Sequence, residues 1–85
     1  MNTLTLEARA SKVWFDANFM WVELQDGRQL AVPLSYFPRL LKATQPQRRK
    51  YELSGGGLGI HWNSLDEDIS VPGLLMGVPD TVKSR

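Results

Sequence analysis

The stretch that most restricts the fold is "NFMWVELQDGRQLAVPL", residues 18–34. Met20, Val22 and Leu24 alternate with Phe19, Trp21 and Glu23, and a period of two sends the two sets to opposite faces of a strand. Asp26-Gly27 follows, the dipeptide that favours a type I′ hairpin because both central residues accept positive φ at little cost. "SKVWF" before this stretch and "RQLAVP" after its turn carry the pattern on. The reading is an antiparallel meander with strands near 8–15, 19–25 and 28–33.

Beyond Pro33 the period changes. Ser35 is placed to cap a helix over about 36–43 that carries Phe37, Leu40 and Leu41 on one face, with Pro38 tolerated in its first turn. Thr44 then opens "TQPQ", where its hydroxyl accepts from the Gln47 amide and Gln47 reaches back, a capping box ahead of a short helical piece near 46–50. "YELSGGGLGIHW" reads as two strands around a glycine turn, with Leu58, Ile60 and Trp62 facing inward and His61 outward. "ISVPGLLMG" reads as a short strand and then a helical turn over Leu74, Leu75 and Met76, stopped by Gly77. Strands, helix and strands again describe an α+β domain in which short helices cover one face of a mostly antiparallel sheet. The expectation is one domain over 1–85, its core at about 8–77 and 78–85 a frayed tail.

Composition narrows the class. With 85 residues and 42% hydrophobic content the chain suits one small domain, and such a domain buries roughly 60% of the surface its unfolded chain exposes. It has no cysteine, so disulfides and thiolate metal sites are excluded and a cytoplasmic, reducing setting is expected. No stretch resembles a secretory h-region or a membrane span, so a soluble, unexported protein is expected. Ten Lys and Arg against nine Asp and Glu leave a net charge of +1, too little to draw the whole molecule to nucleic acid or anionic lipid.

The charges are nevertheless segregated. Arg39, Lys42, Arg48, Arg49 and Lys50 fall in a segment without acids, whereas Glu52, Asp66, Glu67, Asp68 and Asp80 fall in one without Lys or Arg. Such blocks serve as solvated faces or as oriented docking surfaces. The basic block beside Tyr36 and Tyr51 could meet phosphates, but no helix-turn-helix pair frames it, so nucleic-acid binding is the second reading.

Catalytic chemistry finds less support. His61, Asp66 and Asp68 offer nitrogen and oxygen ligands for a divalent cation, but one histidine and one acidic triplet do not close a structural zinc site. Three adjacent acids on a turn stay ionised and supply no general acid, and no serine lies in a Gly-x-Ser-x-Gly setting. "SGGGLG" lacks the Gly-Lys-Ser/Thr of a phosphate loop and suits a turn or a close backbone approach. No cofactor is expected, no enzymatic activity either, and a metal-dependent enzyme ranks third. Trp21 is the exception among the tryptophans: on the face opposite Met20, Val22 and Leu24 it would lie exposed beside Phe19, an apolar patch suited to a protein partner.

The acidic triplet itself, in "HWNSLDEDIS", has the spacing of a helix start. Ser64 and Glu67 form a capping box, Asp66 meets the positive end of the helix dipole, Leu65, Ile69 and Val71 anchor the turn, and the acids face water.

The order "PLSYFPRLLKA", "QRR", "GIHW" and "LDEDISVPGLL" resembles the small bacterial family DUF2442, over about residues 11–77. The family tract here comprises His61, Trp62, Leu65, Asp66, Glu67, Asp68, Ile69, Ser70 and Gly73, expected to be structural. The resemblance implies a compact α+β domain like the N-terminal domain of a nitrifier protein. Some relatives carry an added C-terminal helix-turn-helix, and some are encoded beside a second small protein, as in a toxin–antitoxin pair. The chain looks like the stand-alone form, with no room for a DNA-binding domain after its last residue. It is expected to be an interaction or regulatory module that binds another small protein or itself, possible contacts being Phe19, Trp21, Arg39, Lys42, Arg48, Arg49 and Lys50.

Overall fold

A computed structural model describes residues 8–77. The tail foreseen at 78–85 lies outside the described residues. The strands are β1 (Ala10–Phe15), β2 (Phe19–Leu24), β3 (Gln29–Pro33), β4 (Tyr51–Ser54), β5 (Gly59–Trp62) and β6 (Glu67–Ser70); the helices are α1 (Pro38–Leu41), α2 (Gln45–Arg49) and α3 (Val71–Leu75). The architecture is α+β, and the strands divide into two three-stranded antiparallel sheets, β1-β2-β3 and β4-β5-β6. Among the described residues no helix is long and apolar enough to cross a membrane.

The first sheet follows the alternation of its sequence. Met20, Val22 and Leu24 are buried with Val13 and Val32, and the register Trp14↔Trp21↔Ala31 stacks the other set on the outer face. The β2–β3 hairpin differs in one detail. Only Gly27 has positive φ (96°), the Gly27 amide donates to the Leu24 carbonyl and the Leu24 amide to the Arg28 carbonyl. This is a three-residue loop closed by a left-handed glycine, not a type I′ turn. Asp26 keeps negative φ because its carboxylate is occupied by the Arg28 amide and guanidinium, at 3.1 and 2.8 Å.

The helix expected over 36–43 is broken. Leu34–Tyr36 forms a 3₁₀ turn, Phe37 has φ −129°, and the α-helix runs only from Pro38. The residue before a proline is pushed out of the helical region by the ring, so Phe37 interrupts what Ser35 would have capped. The second helix is as its sequence suggests. Thr44 Oγ1 accepts from the Gln47 amide at 3.2 Å, and the Thr44 amide donates to Gln47 Oε1 at 2.9 Å.

The second sheet carries the acidic tract, and here the helix-start reading fails. Residues 63–66 form the turn of the β5–β6 hairpin, and Glu67 opens a strand whose register is Trp62↔Glu67, His61↔Asp68 and Ile60↔Ile69. Ser64 caps no helix. Period two puts Glu67 on the same face as Ile69, so its side chain is 1% exposed while Asp66 and Asp68 face water. Leu65, Ile69 and Val71 do pack on the core. The serine that caps is Ser70, whose Oγ accepts from the Gly73 amide at 3.1 Å and opens α3. Gly77, with φ 79°, stops it.

Both sheets, α1 and α3 close on one apolar cluster running from Ala10 through Met20, Phe37, Leu40, Ile60 and Trp62 to Leu74. Trp62 is fully buried, and its Nε1 donates to the Arg48 carbonyl at 3.0 Å, tying α2 to the second sheet. The glycine turn ties the sheets together from another side. A Cβ on Gly57 would lie 2.5 Å from the Ala10 carbonyl oxygen, so only glycine lets the two backbones approach this closely.

Candidate groove at an open strand edge

The candidate site arises because β1 is an edge strand. Its first half is covered by the glycine turn: Gly57 packs on Ala10, and the Arg9 guanidinium donates to the Gly55 carbonyl at 2.7 Å. At Val13 the outward amide is taken by the Tyr51 hydroxyl at 3.2 Å. Beyond that point the edge opens onto a cavity of about 180 Å³ whose walls include Val13–Asp16 and, facing them, Gln45, Arg48, Arg49 and Tyr51.

The ladder fixes which backbone groups face this cavity. The Asp16 amide donates inward to the Phe19 carbonyl at 3.0 Å, and the Val13 amide points outward to Tyr51. Alternation makes Phe15↔Met20 the non-bonded kind, with the N–H and C=O of Phe15 pointing away from β2 toward the open edge. No other described residue bonds them.

Each wall has its own chemistry. On the outer face Trp14 stacks on Trp21 with centroids 6.1 Å apart and planes 6° from parallel, Phe19 meets Trp21 edge-on at 6.4 Å, and Lys12 lies 5.2 Å above Trp14. These rings are half-buried, largely by one another. Phe19 and Trp21 therefore lie on the expected face but shield each other, and Trp14 joins them. At the end of the groove Asp16 accepts from Trp21 Nε1 and from the Asn18 and Phe19 amides. The indole bond first, then the two amides, hold its carboxyl below the usual aspartate range.

Opposite stands α2. Arg48 is committed inward: Nε and Nη2 donate to the Leu40 and Leu41 carbonyls at 2.8 and 3.0 Å, and its guanidinium lies 5.6 Å from the Phe15 ring centroid. Arg49 is exposed and bonds Gln45 Oε1 at 3.2 Å. The remaining basic residues diverge. Arg39 donates to the Asp66 carbonyl and lies 3.5 Å from Glu67 Oε1, while Lys42 and Lys50 are exposed. The basic segment thus supplies two internal fasteners, Arg39 and Arg48, rather than five parallel phosphate contacts.

His61, Asp68 and Glu52 form a cross-strand row on the second sheet. His61 Nε2 meets Asn63 Oδ1 at 3.0 Å and Nδ1 meets Asp68 Oδ1 at 2.8 Å, so both ring nitrogens have acceptors and the pKa rises above 6.5. Among the described residues no three His, Asp or Glu side chains converge as a metal site: Asp68 meets His61, and Asp66 does not complete a set with them.

Of the groove residues, Phe15, Asp16 and Gln45 were not singled out by sequence reasoning, and Tyr51 only as an aromatic beside the basic block. Only Asp16-x-Asn18 carried a signal, that of an Asx turn.

A family model for proteins of unknown function, DUF2442, matches residues 10–80. This chain belongs to the DUF2442 family. It is 36% identical to a protein of unknown function from Rhodospirillum rubrum solved by crystallography, covering 86% of this chain and 90% of that one with a TM-score of 0.74. It is 28% identical to an uncharacterised Chromobacterium violaceum protein solved by solution NMR, covering 88% and 71% with a TM-score of 0.74. No curated protein matches. The DUF2442 fold is thus shared, and the α+β class follows from both the sheets and these neighbours.

Proposed function

We infer that this DUF2442 chain is a non-enzymatic cytoplasmic module that holds another protein, acting as the antitoxin-like half of a two-gene pair. The observation that carries the reading is the groove, where an open strand edge, a stacked tryptophan pair at the rim and an exposed arginine meet. Trp and Arg supply binding energy at protein interfaces out of proportion to their number, and unpaired strand edges are natural templates for a partner chain. The one carboxylate among the described groove residues, Asp16, already accepts three hydrogen bonds and is a poor base. Nucleic-acid binding would need the 39–50 block free to meet successive phosphates, and Arg39 and Arg48 are bonded within the molecule.

The test is purification of the tagged chain from its native host and identification of any protein that co-purifies in stoichiometric amount. The expected result is a stoichiometric complex that Trp14→Ala weakens at least tenfold and His61→Ala leaves unchanged. A protein that stays uncomplexed, or that shifts nucleic acid with a steep salt dependence, overturns the reading.

A further inference from the structure

We propose that the occupant of the groove is an extended acidic segment of the partner protein, added to the open edge of β1 as a fourth strand and steered by Arg49. The inference rests on the protein-docking reading above and gives its occupant a chemistry.

The edge argues for an extended backbone. Phe15 offers an outward N–H and an outward C=O from one residue, the paired donor and acceptor that a strand partner takes up in an antiparallel bridge. Two features set the limits of pairing. Gly57 and the Tyr51 hydroxyl occupy the edge from Ala10 to the Val13 amide, and Asp16 turns away into β2. Only the Val13–Asp16 portion remains, enough for a short strand to engage one bridge and place alternate side chains on the two faces.

Charge argues for acid. The wall facing the edge belongs to α2, whose exposed cation at the cavity is Arg49, with Lys50 next in sequence and Lys12 above Trp14 on the rim. A carboxylate on the incoming strand has a planar, bidentate partner in the Arg49 guanidinium, which has to leave only one neutral bond to Gln45. Asp16 is the single acid among the described groove residues, and its oxygens are held by Trp21 Nε1 and two amides at the far end. It therefore bars a second carboxylate there and fixes the direction of the segment: acidic residue toward α2, neutral residue toward the β1–β2 turn. On the rim, Trp14 and Trp21 receive an apolar side chain.

The experiment selects a phage-displayed random decapeptide library on the full chain. Enriched peptides are then titrated by two-dimensional NMR and by calorimetry. The expected result is a motif with one Asp or Glu two residues from an apolar side chain, a shift of the Phe15 amide with slowed hydrogen exchange there, and a loss of at least tenfold in affinity for Arg49→Glu. Exchanging the charges, Arg49→Glu against a Lys-substituted peptide, restores binding. A helical or neutral motif that still perturbs Trp14 and Arg49 leaves the docking reading standing and overturns the acidic strand. Absence of enrichment, or peptides that perturb only another face, overturns it as well. Dimerisation of the free chain through the same amide would identify a second copy as the occupant and equally reject an acidic partner segment.

Discussion

Asp66 holds φ at 54°, alone among the described non-glycine residues in the left-handed region, and ends the β5–β6 turn just before Glu67 opens the strand. Asp tolerates that conformation better than most residues, whereas a β-branched side chain pays about 1–2 kcal/mol for it. Asp66→Gly is accordingly expected to leave stability unchanged or raise it, and Asp66→Val to lower it by about 1–2 kcal/mol, read from urea unfolding. Ser64→Ala should stay within about 0.5 kcal/mol, as for a surface residue that caps nothing. His61 provides a second test at this scale. Acceptors on both ring nitrogens, Asn63 before Asp68 in weight, favour the imidazolium and raise the folded-state pKa above 6.5. The resulting stabilisation is complete below the unfolded pKa near 6.5 and disappears as pH climbs through the higher folded value. NMR titration should find the raised pKa in the parent chain and a lower one in both Asn63→Ala and Asp68→Asn.

The elements differ in how far local sequence decides them. α2 carries its own start signal, and Thr44→Ala should cost about 1 kcal/mol, Thr44→Ser much less. The glycine turn is decided by what lies across from it. Gly57 combines φ 103° with a Cβ position 2.5 Å from the Ala10 carbonyl oxygen. Gly57→Ala should therefore cost at least about 2 kcal/mol, the left-handed penalty plus separation of the sheets, and should release the first half of the β1 edge. Amide exchange at Ala10 would report that release; an unchanged rate would show that the turn does not cover the edge. The acidic tract illustrates the opposite case. Its Ser-x-x-Glu spacing fits a helix start, yet Glu67 and Ile69 also stand two apart, and the hairpin that begins at Trp62 chooses the strand period.

For the whole molecule, the two sheets share one core, and Trp62 belongs to both. It touches Phe15 of the first sheet edge-on at 6.4 Å, packs against Tyr51 of its own sheet and bonds the α2 backbone. Trp62→Ala should cost about 3–5 kcal/mol and lower the midpoint of a single cooperative transition, followed together by fluorescence and circular dichroism. Two separated transitions would mean that the sheets are independent units. The groove is a product of the same arrangement, since β1 comes from one sheet and the α2–β4 junction from the other.

The sequence by itself determined what rests on neighbours along the chain: the alternating strands, the Thr44 capping box, the outward His61 and the inward Ile60 and Trp62, and the α+β class. Each is set within a few residues by side-chain period, rotamer and hydrogen-bonding reach. The tertiary structure alone decided that six strands divide into two sheets, that Glu67 turns inward, that Arg39 and Arg48 bond backbone carbonyls of other segments, and that half of β1 is left uncovered. Those outcomes depend on contacts such as Gly57 with Ala10 and Trp62 with Arg48, between segments far apart in sequence, where burial and strand register outweigh local preference.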